Sequence, residues 1–134
     1  MKEELNRESI EALVAYRFQR AKDTLSEITY LKKEGYYNTA VNRLYYACYY
    51  AAVALLIKHD INPGTHAGVK QMLGMHFVAP GHLSRENGRS FSLLFERRHS
   101  SDYDDFVYSS AEEIDELLPK ATAFIDAIEH LLSE

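Results

Sequence analysis

Cysteine occurs once, at Cys48, so no disulfide can close within this chain, and a reducing compartment is the expected setting. No Cys–His spacing of a structural zinc site accompanies it. The six histidines, His59, His66, His76, His82, His99 and His130, contain no pair four residues apart, so neither a metal site nor a cofactor is expected. Positive charge is short as well: 15 Lys and Arg stand against 20 Asp and Glu, a net charge of −5. A protein that binds nucleic acid indiscriminately neutralises phosphates with an overall basic surface, so that class is excluded, while a local basic patch is not. The segment Met1–Arg7 carries both signs of charge with no apolar stretch behind it, which is not the pattern of a secretory signal. The longest apolar run, Leu44 to Ile57, has 14 residues, fewer than the roughly 20 that cross a bilayer. A soluble, cytoplasmic protein with no membrane segment is the expectation.

What is present points to one all-α domain over residues 1–134. Apolar residues make up 46% of the chain, enough for a single core at this length. Nothing alternates with period two for long. From about Glu8 to Glu34 the residues Leu13, Tyr16, Ala21, Leu25, Ile28 and Leu31 recur at helical spacing, and Lys32, Lys33 and Gly35 make a stop. A second helix is expected from about Tyr37 to His59. It is apolar on every side through Leu44–Ile57 and so belongs at the centre of the fold. Thr65 is placed to cap a short third helix, about His66 to Phe77, and Ser84 to open a fourth, running to about His99. Ser110 and Glu113 form a capping-box pattern at the start of the last helix, which runs to about Leu132 and is expected to kink or start late at Pro119. Five helices and no sheet result.

Three separate stretches, taken together, resemble the HEPN superfamily. They are Asn42-Arg43-Leu44-Tyr45-Tyr46-Ala47-Cys48-Tyr49-Tyr50-Ala51-Ala52, then Thr65-His66-Ala67-Gly68-Val69, then Arg98-His99-Ser100-Ser101-Asp102-Tyr103. The last is similar to the Arg-x-x-x-Asp-Tyr signature of small stand-alone members. The resemblance runs from about Ala12 to Leu132 and implies an antiparallel up-and-down five-helix bundle that dimerises. It also implies a place in a prokaryotic two-component, toxin–antitoxin-like pair with a minimal nucleotidyltransferase. Many members of that superfamily are metal-independent endoribonucleases that use an Arg followed, four to six residues on, by a His. Here the position five after Arg98 is Tyr103, and no histidine follows His99 until His130.

That departure leaves three readings open. One is binding of RNA or a nucleotide near Arg98, with Asn42, Arg43, Tyr46 and Asp102 contributing. The second is a ribonuclease with an altered centre built from Arg98, His99 and Tyr103. An Arg clamps a phosphate well, but a phenol with a pKa near 10 is a poor base. The third is a structural dimerisation module in which Arg98 and Asp102 simply pair along a helix. The polar–aromatic stripes of the central helix, Asn38, Asn42, Tyr45 and Tyr49 beside Arg43, Tyr46 and Tyr50, could stack a base or could be tyrosine-rich core. His66 reads as a helix-start residue, and Cys48 as an inert buried thiol. Arg85, Arg89, Arg97 and Arg98 suggest a phosphate-facing surface. The acids of residues 101 to 119 suggest a partner-facing one.

Overall fold

A computed structural model describes residues 2–103 and 108–134, with side chains described over 6–98 and 108–134. Every regular element among them is helical: α1 (Lys2–Ser26), α2 (Ile28–Lys33), α3 (Tyr37–Lys58), α4 (His66–Leu73), α5 (Arg85–Tyr103) and α6 (Ala111–Leu132). The first expected helix begins at Lys2 rather than near Glu8, and it is split at Glu27 into α1 and α2. There the Ser26 hydroxyl bonds back to the Asp23 carbonyl at 2.6 Å and the Glu27 amide reaches Thr24 O, tightening one turn. Since Glu27 keeps right-handed helical angles, the two pieces still act as one rod, giving five rods in all.

The α2 stop forms as the glycine requires. Gly35 sits at φ +82°, the Tyr36 amide reaches Leu31 O at 2.9 Å and the Gly35 amide reaches Lys32 O at 3.0 Å. Space around the glycine is open, so Gly35→Ala is expected to cost only the backbone penalty of a left-handed residue, about 1–2 kcal/mol, read as a lowered melting temperature with unchanged helicity. At the end of α3 the same pattern recurs with Asp60, φ +61°, in the glycine's place. Thr65 caps α4 through the Gly68 amide at 2.9 Å, and Ser84 bonds the Asn87 amide at 3.0 Å. Ser110 likewise accepts from the Glu113 amide, but the expected capping box is half made. The Glu113 carboxylate turns to Arg97 at 2.8 Å instead of back to its own helix start. Pro119 neither delays nor breaks α6, which is continuous from Ala111.

The central position of α3 follows from its composition. It packs against α1, α2, α4, α5 and α6, and Ala40, Ala47, Ala51, Ala52 and Ala54 are fully buried, so neighbouring helices can approach closely. Among the described residues α3 is the one helix long and apolar enough to cross a membrane, but these five helices enclose it. Its Cys48 is buried, with Sγ 3.9 Å from Ala121 O, and burial pushes the thiol far up and keeps it protonated. Beneath α3, Phe91 of α5 and Phe124 of α6 stack at 5.4 Å.

Candidate functional site

The tyrosines of α3 form the site. Tyr45, Tyr46, Tyr49 and Tyr50 follow a helical turn, so their rings fan from the buried side of α3 toward its rim. Tyr45 is fully buried, whereas Tyr46 and Tyr49 are half-buried. A buried hydroxyl needs a partner, and Tyr45 Oη finds His66 Nδ1 at 2.8 Å. The imidazole lies flat on Tyr49, with ring centres 4.3 Å apart and planes 12° from parallel. His66 is held there by its local sequence. Thr65 caps the helix that His66 opens, and a Cβ on Gly68 would stand 3.0 Å from both Pro63 Cβ and Thr65 Oγ1. Only glycine lets that cap close without displacing one of them.

Arginines surround the rings. Arg98 of α5 donates to Tyr46 Oη at 3.2 Å, and its guanidinium carbon lies 5.6 Å from the ring centres of both Tyr45 and Tyr46. Arg20 of α1 covers Tyr50 at 4.5 Å and donates to its hydroxyl at 3.1 Å. Arg43 lies 6.0 Å from the Tyr46 ring, but it is turned toward α1, where it meets Thr24 at 3.3 Å and Glu27 at 3.6 Å. Arg17, one turn before Arg20, lines a cleft of about 480 Å³ with Tyr49, Leu13, Val53 and Pro63. Its buried Nε has no hydrogen-bond partner among the described residues. Tyr49 is thus the wall between this cleft and His66.

Burial sets the protonation states, modified by these cations. Tyr45 is pushed far up, chiefly by burial, which the Arg98 guanidinium only partly offsets, so it stays a phenol. Tyr49 is raised for the same first reason and opposed by Arg17. For His66, burial and then the Arg98 charge act in one direction and hold the imidazole below its ordinary 6.5. It is therefore neutral at pH 7. A neutral imidazole, a phenol and a guanidinium around one set of rings can accept a proton, donate one and hold an anion.

Of the residues singled out in the sequence, Arg98, Tyr46 and Arg43 come together, and Asn42 is half-buried on the same helix. Asn38 serves elsewhere, accepting from the Ser109 amide at 2.8 Å. The side chains of His99, Asp102, Tyr103, Asp104 and Asp105 lie outside the described residues, and of the other acids up to residue 119 Glu113 pairs with Arg97 and Asp115 with Lys32. The arginine run of α5 does not make one surface. Arg97 is drawn inward by Glu113, the Tyr108 carbonyl and Ser109, while Arg85 and Arg89 line a separate groove against α4 and the π-helical turn Gly74–Val78. Arg17 and Arg20 went unnoticed in the sequence because they read as the polar filling of an amphipathic helix. Their spacing of three, which places both on one face, was the available signal. Among the described residues no three His, Cys, Asp or Glu converge.

These features define an all-α protein with a buried central helix whose tyrosines meet arginines from neighbouring helices. The sequence model of the HEPN domain family matches residues 14–131, and the chain belongs to that family. A protein of Thermotoga maritima named UPF0332 protein is 33% identical over 92% of this chain and 94% of its own length. Two proteins of Methanocaldococcus jannaschii are 35% and 31% identical. The first match covers 96% of this chain and 92% of that protein, the second 81% and 74%. Both are named as candidate toxins.

Proposed function

We propose that this chain is the HEPN component of a prokaryotic two-component, toxin–antitoxin-like system, working in the cytosol as a homodimer beside a minimal nucleotidyltransferase. In this reading RNA, or a nucleotide derived from it, binds where Arg98 meets the tyrosines of α3. The toxin names of two relatives support the first part. The observation that carries the second is the gathering of Arg17, Arg20, Arg43 and Arg98 from three helices around four tyrosines. Phosphates suit the guanidinium forks, and a base can lie against an exposed ring or enter the cleft beside Tyr49.

Among the described residues, the carboxylate that meets one of these arginines is Glu27, at Arg43. The test is fluorescence anisotropy of a labelled single-stranded RNA at several salt concentrations. Each phosphate neutralised contributes about −0.7 to the slope of log affinity against log salt, so three arginines acting together give a slope near −2. Arg20→Gln is expected to weaken binding and flatten that slope by about 0.7. If there is no binding even at low salt, the RNA reading fails. Co-expression with the nucleotidyltransferase encoded nearest to this gene, followed by purification through either protein, tests the pairing.

A second reading, metal-independent cleavage of RNA, is favoured by one observation, the His66 imidazole held by Tyr45 and Tyr49 against the rings that Arg98 also meets.

A further inference from the structure

We propose that the cleft between α1, α3 and the α3–α4 connection is a binding site for a small apolar carboxylate, a medium-chain or arylalkyl acid, with Arg17 as the partner of its anionic end. The inference stands apart from the RNA reading and from the rings that Arg98 meets. Its ligand lies on the far side of Tyr49 from His66.

The composition of the cleft selects the ligand. Its volume of about 480 Å³ falls within the roughly 300–1,000 Å³ of small-molecule sites. Leu56 of α3 and Val69 of α4 line it as buried residues, and Leu13 of α1, Val53 and Ile57 of α3 and Ile61 of the connection form more open walls. Leu13 is 40% exposed, an apolar lip that the fold leaves uncovered. Among the described residues that line the cleft, Arg17 carries the one positive charge, and its buried Nε has no hydrogen-bond partner. A buried N–H without an acceptor is costly, so an acceptor that reaches it is bound with that cost relieved. A carboxylate supplies a charge-assisted bond, while its hydrocarbon body removes the aliphatic walls from water. Of the two places open to a base, the exposed rings suit it better, because here its ring-edge donors and acceptors would meet aliphatic side chains.

Asp60 also lines the cleft and carries the wrong sign for an anion. It is exposed, however, and borders a wider groove between α1 and α6 as well, so water weakens its repulsion of the ligand. Tyr49 forms the remaining wall. The Arg17 charge reaches it, opposing the rise that burial causes in its phenol, so cation and wall stand together. The Tyr49 ring stacks on His66 with centres 4.3 Å apart, and a ligand settling against Tyr49 is therefore felt at the imidazole.

The test titrates the purified full chain with sodium octanoate and 3-phenylpropionate, beside the neutral octanamide and 3-phenylpropanamide, by calorimetry and by NMR. Octanoate is expected to saturate a single site with a Kd below about 1 mM, at least about tenfold more tightly than octanamide, the added strength of a charge-assisted bond. Nuclear Overhauser contacts should run from its methylenes to the Leu13 and Val53 methyls, and the His66 ring signals should shift at saturation. Arg17→Gln is expected to bring octanoate down to the level of octanamide while octanamide itself stays within about twofold, which a general loss of packing would not do. Val53→Trp fills the cleft and should abolish binding of both. Circular dichroism checks that the variants fold, and if Val53→Trp does not, the acid–amide comparison in Arg17→Gln decides. Equal affinity for acid and amide, octanoate binding unchanged in Arg17→Gln, or contacts confined to another surface overturns the inference. So does the absence of saturable binding by either acid. Adenosine monophosphate making contacts to Val53 where octanoate makes none overturns it as well and gives the cleft to a base.

Discussion

Arg98→Ala will weaken binding of single-stranded RNA by about tenfold to a hundredfold, the equivalent of losing one hydrogen bond to a charged group at about 1.5–3 kcal/mol. The same change withdraws a cation from two tyrosine rings and a donor from Tyr46 Oη, so some loss of stability comes with it, about 0.5–1 kcal/mol at the half-buried Tyr46 ring and up to about 2 at the buried Tyr45 ring. Arg98→Lys separates the two effects. Lysine keeps the charge but has neither the planar face that lies against both rings nor the fork that fits a phosphate. It should recover part of the salt dependence and little of the affinity. A further consequence concerns His66. With the guanidinium gone, one of the two influences holding the imidazole below its ordinary value disappears, so its titration moves upward toward 6.5. NMR titration of the His66 ring in Arg98→Ala reads that shift directly. If RNA affinity in Arg98→Ala equals that of wild type, the site does not lie on the α3 tyrosines.

Phe124→Ala will produce the largest loss of stability of any single change argued here, about 3–5 kcal/mol, because a buried ring is removed and the cavity collapses only in part. Phe124 is fully buried, and its stacking partner Phe91 is 1% exposed. The pair joins α5 to α6 beneath α3, so the loss loosens the helix that carries Arg98 as well as the core. Domains of this kind have about 5–15 kcal/mol in total, so the melting temperature should fall on the order of 10–20 °C. Tyr30→Ala, at a ring 63% exposed, is the control and should stay within about 0.5 kcal/mol of wild type. Thermal melts by circular dichroism measure both. If Phe124→Ala melts like the control, the Phe91–Phe124 stack is not where the bundle is held.

Local signals were legible where the physics is local. Thr65, Ser84 and Ser110 cap the helices they precede, and Gly35 ends α2 in the left-handed form, because a cap or stop involves only residues within one turn. The capping box at Ser110 was only half right for the opposite reason. Glu113 had a choice of partner, and Arg97, brought in from another helix, offered a charged one. A late start at Pro119 was one expectation, but the packed face of α6, with Ile114, Leu117, Ala121, Phe124 and Ile125 buried, carries the helix through it from Ala111.

The site divides the same way. Arg98 could be singled out through the resemblance of Arg98–Tyr103 to a family signature, and Tyr46 through the polar–aromatic stripe of α3. His66 could be placed at a helix start but not given a role, because its partners Tyr45, Tyr49 and Arg98 are set by how α3, α4 and α5 meet. Arg17 and Arg20 are ordinary in the α1 pattern, and only packing against α3 turns them onto Tyr49 and Tyr50. By itself the sequence determined the all-helical class, the central place of α3 and the capped and glycine-stopped helix ends, since periodicity, apolar content and capping act within a segment. Tertiary structure alone decided which cations share the tyrosines, that Arg97 turns to Glu113 while Arg98 turns to the tyrosines, and that a histidine from another helix stands on the same rings as Arg98. Those are contacts between segments, and an acidic chain can concentrate positive charge in one place only by folding.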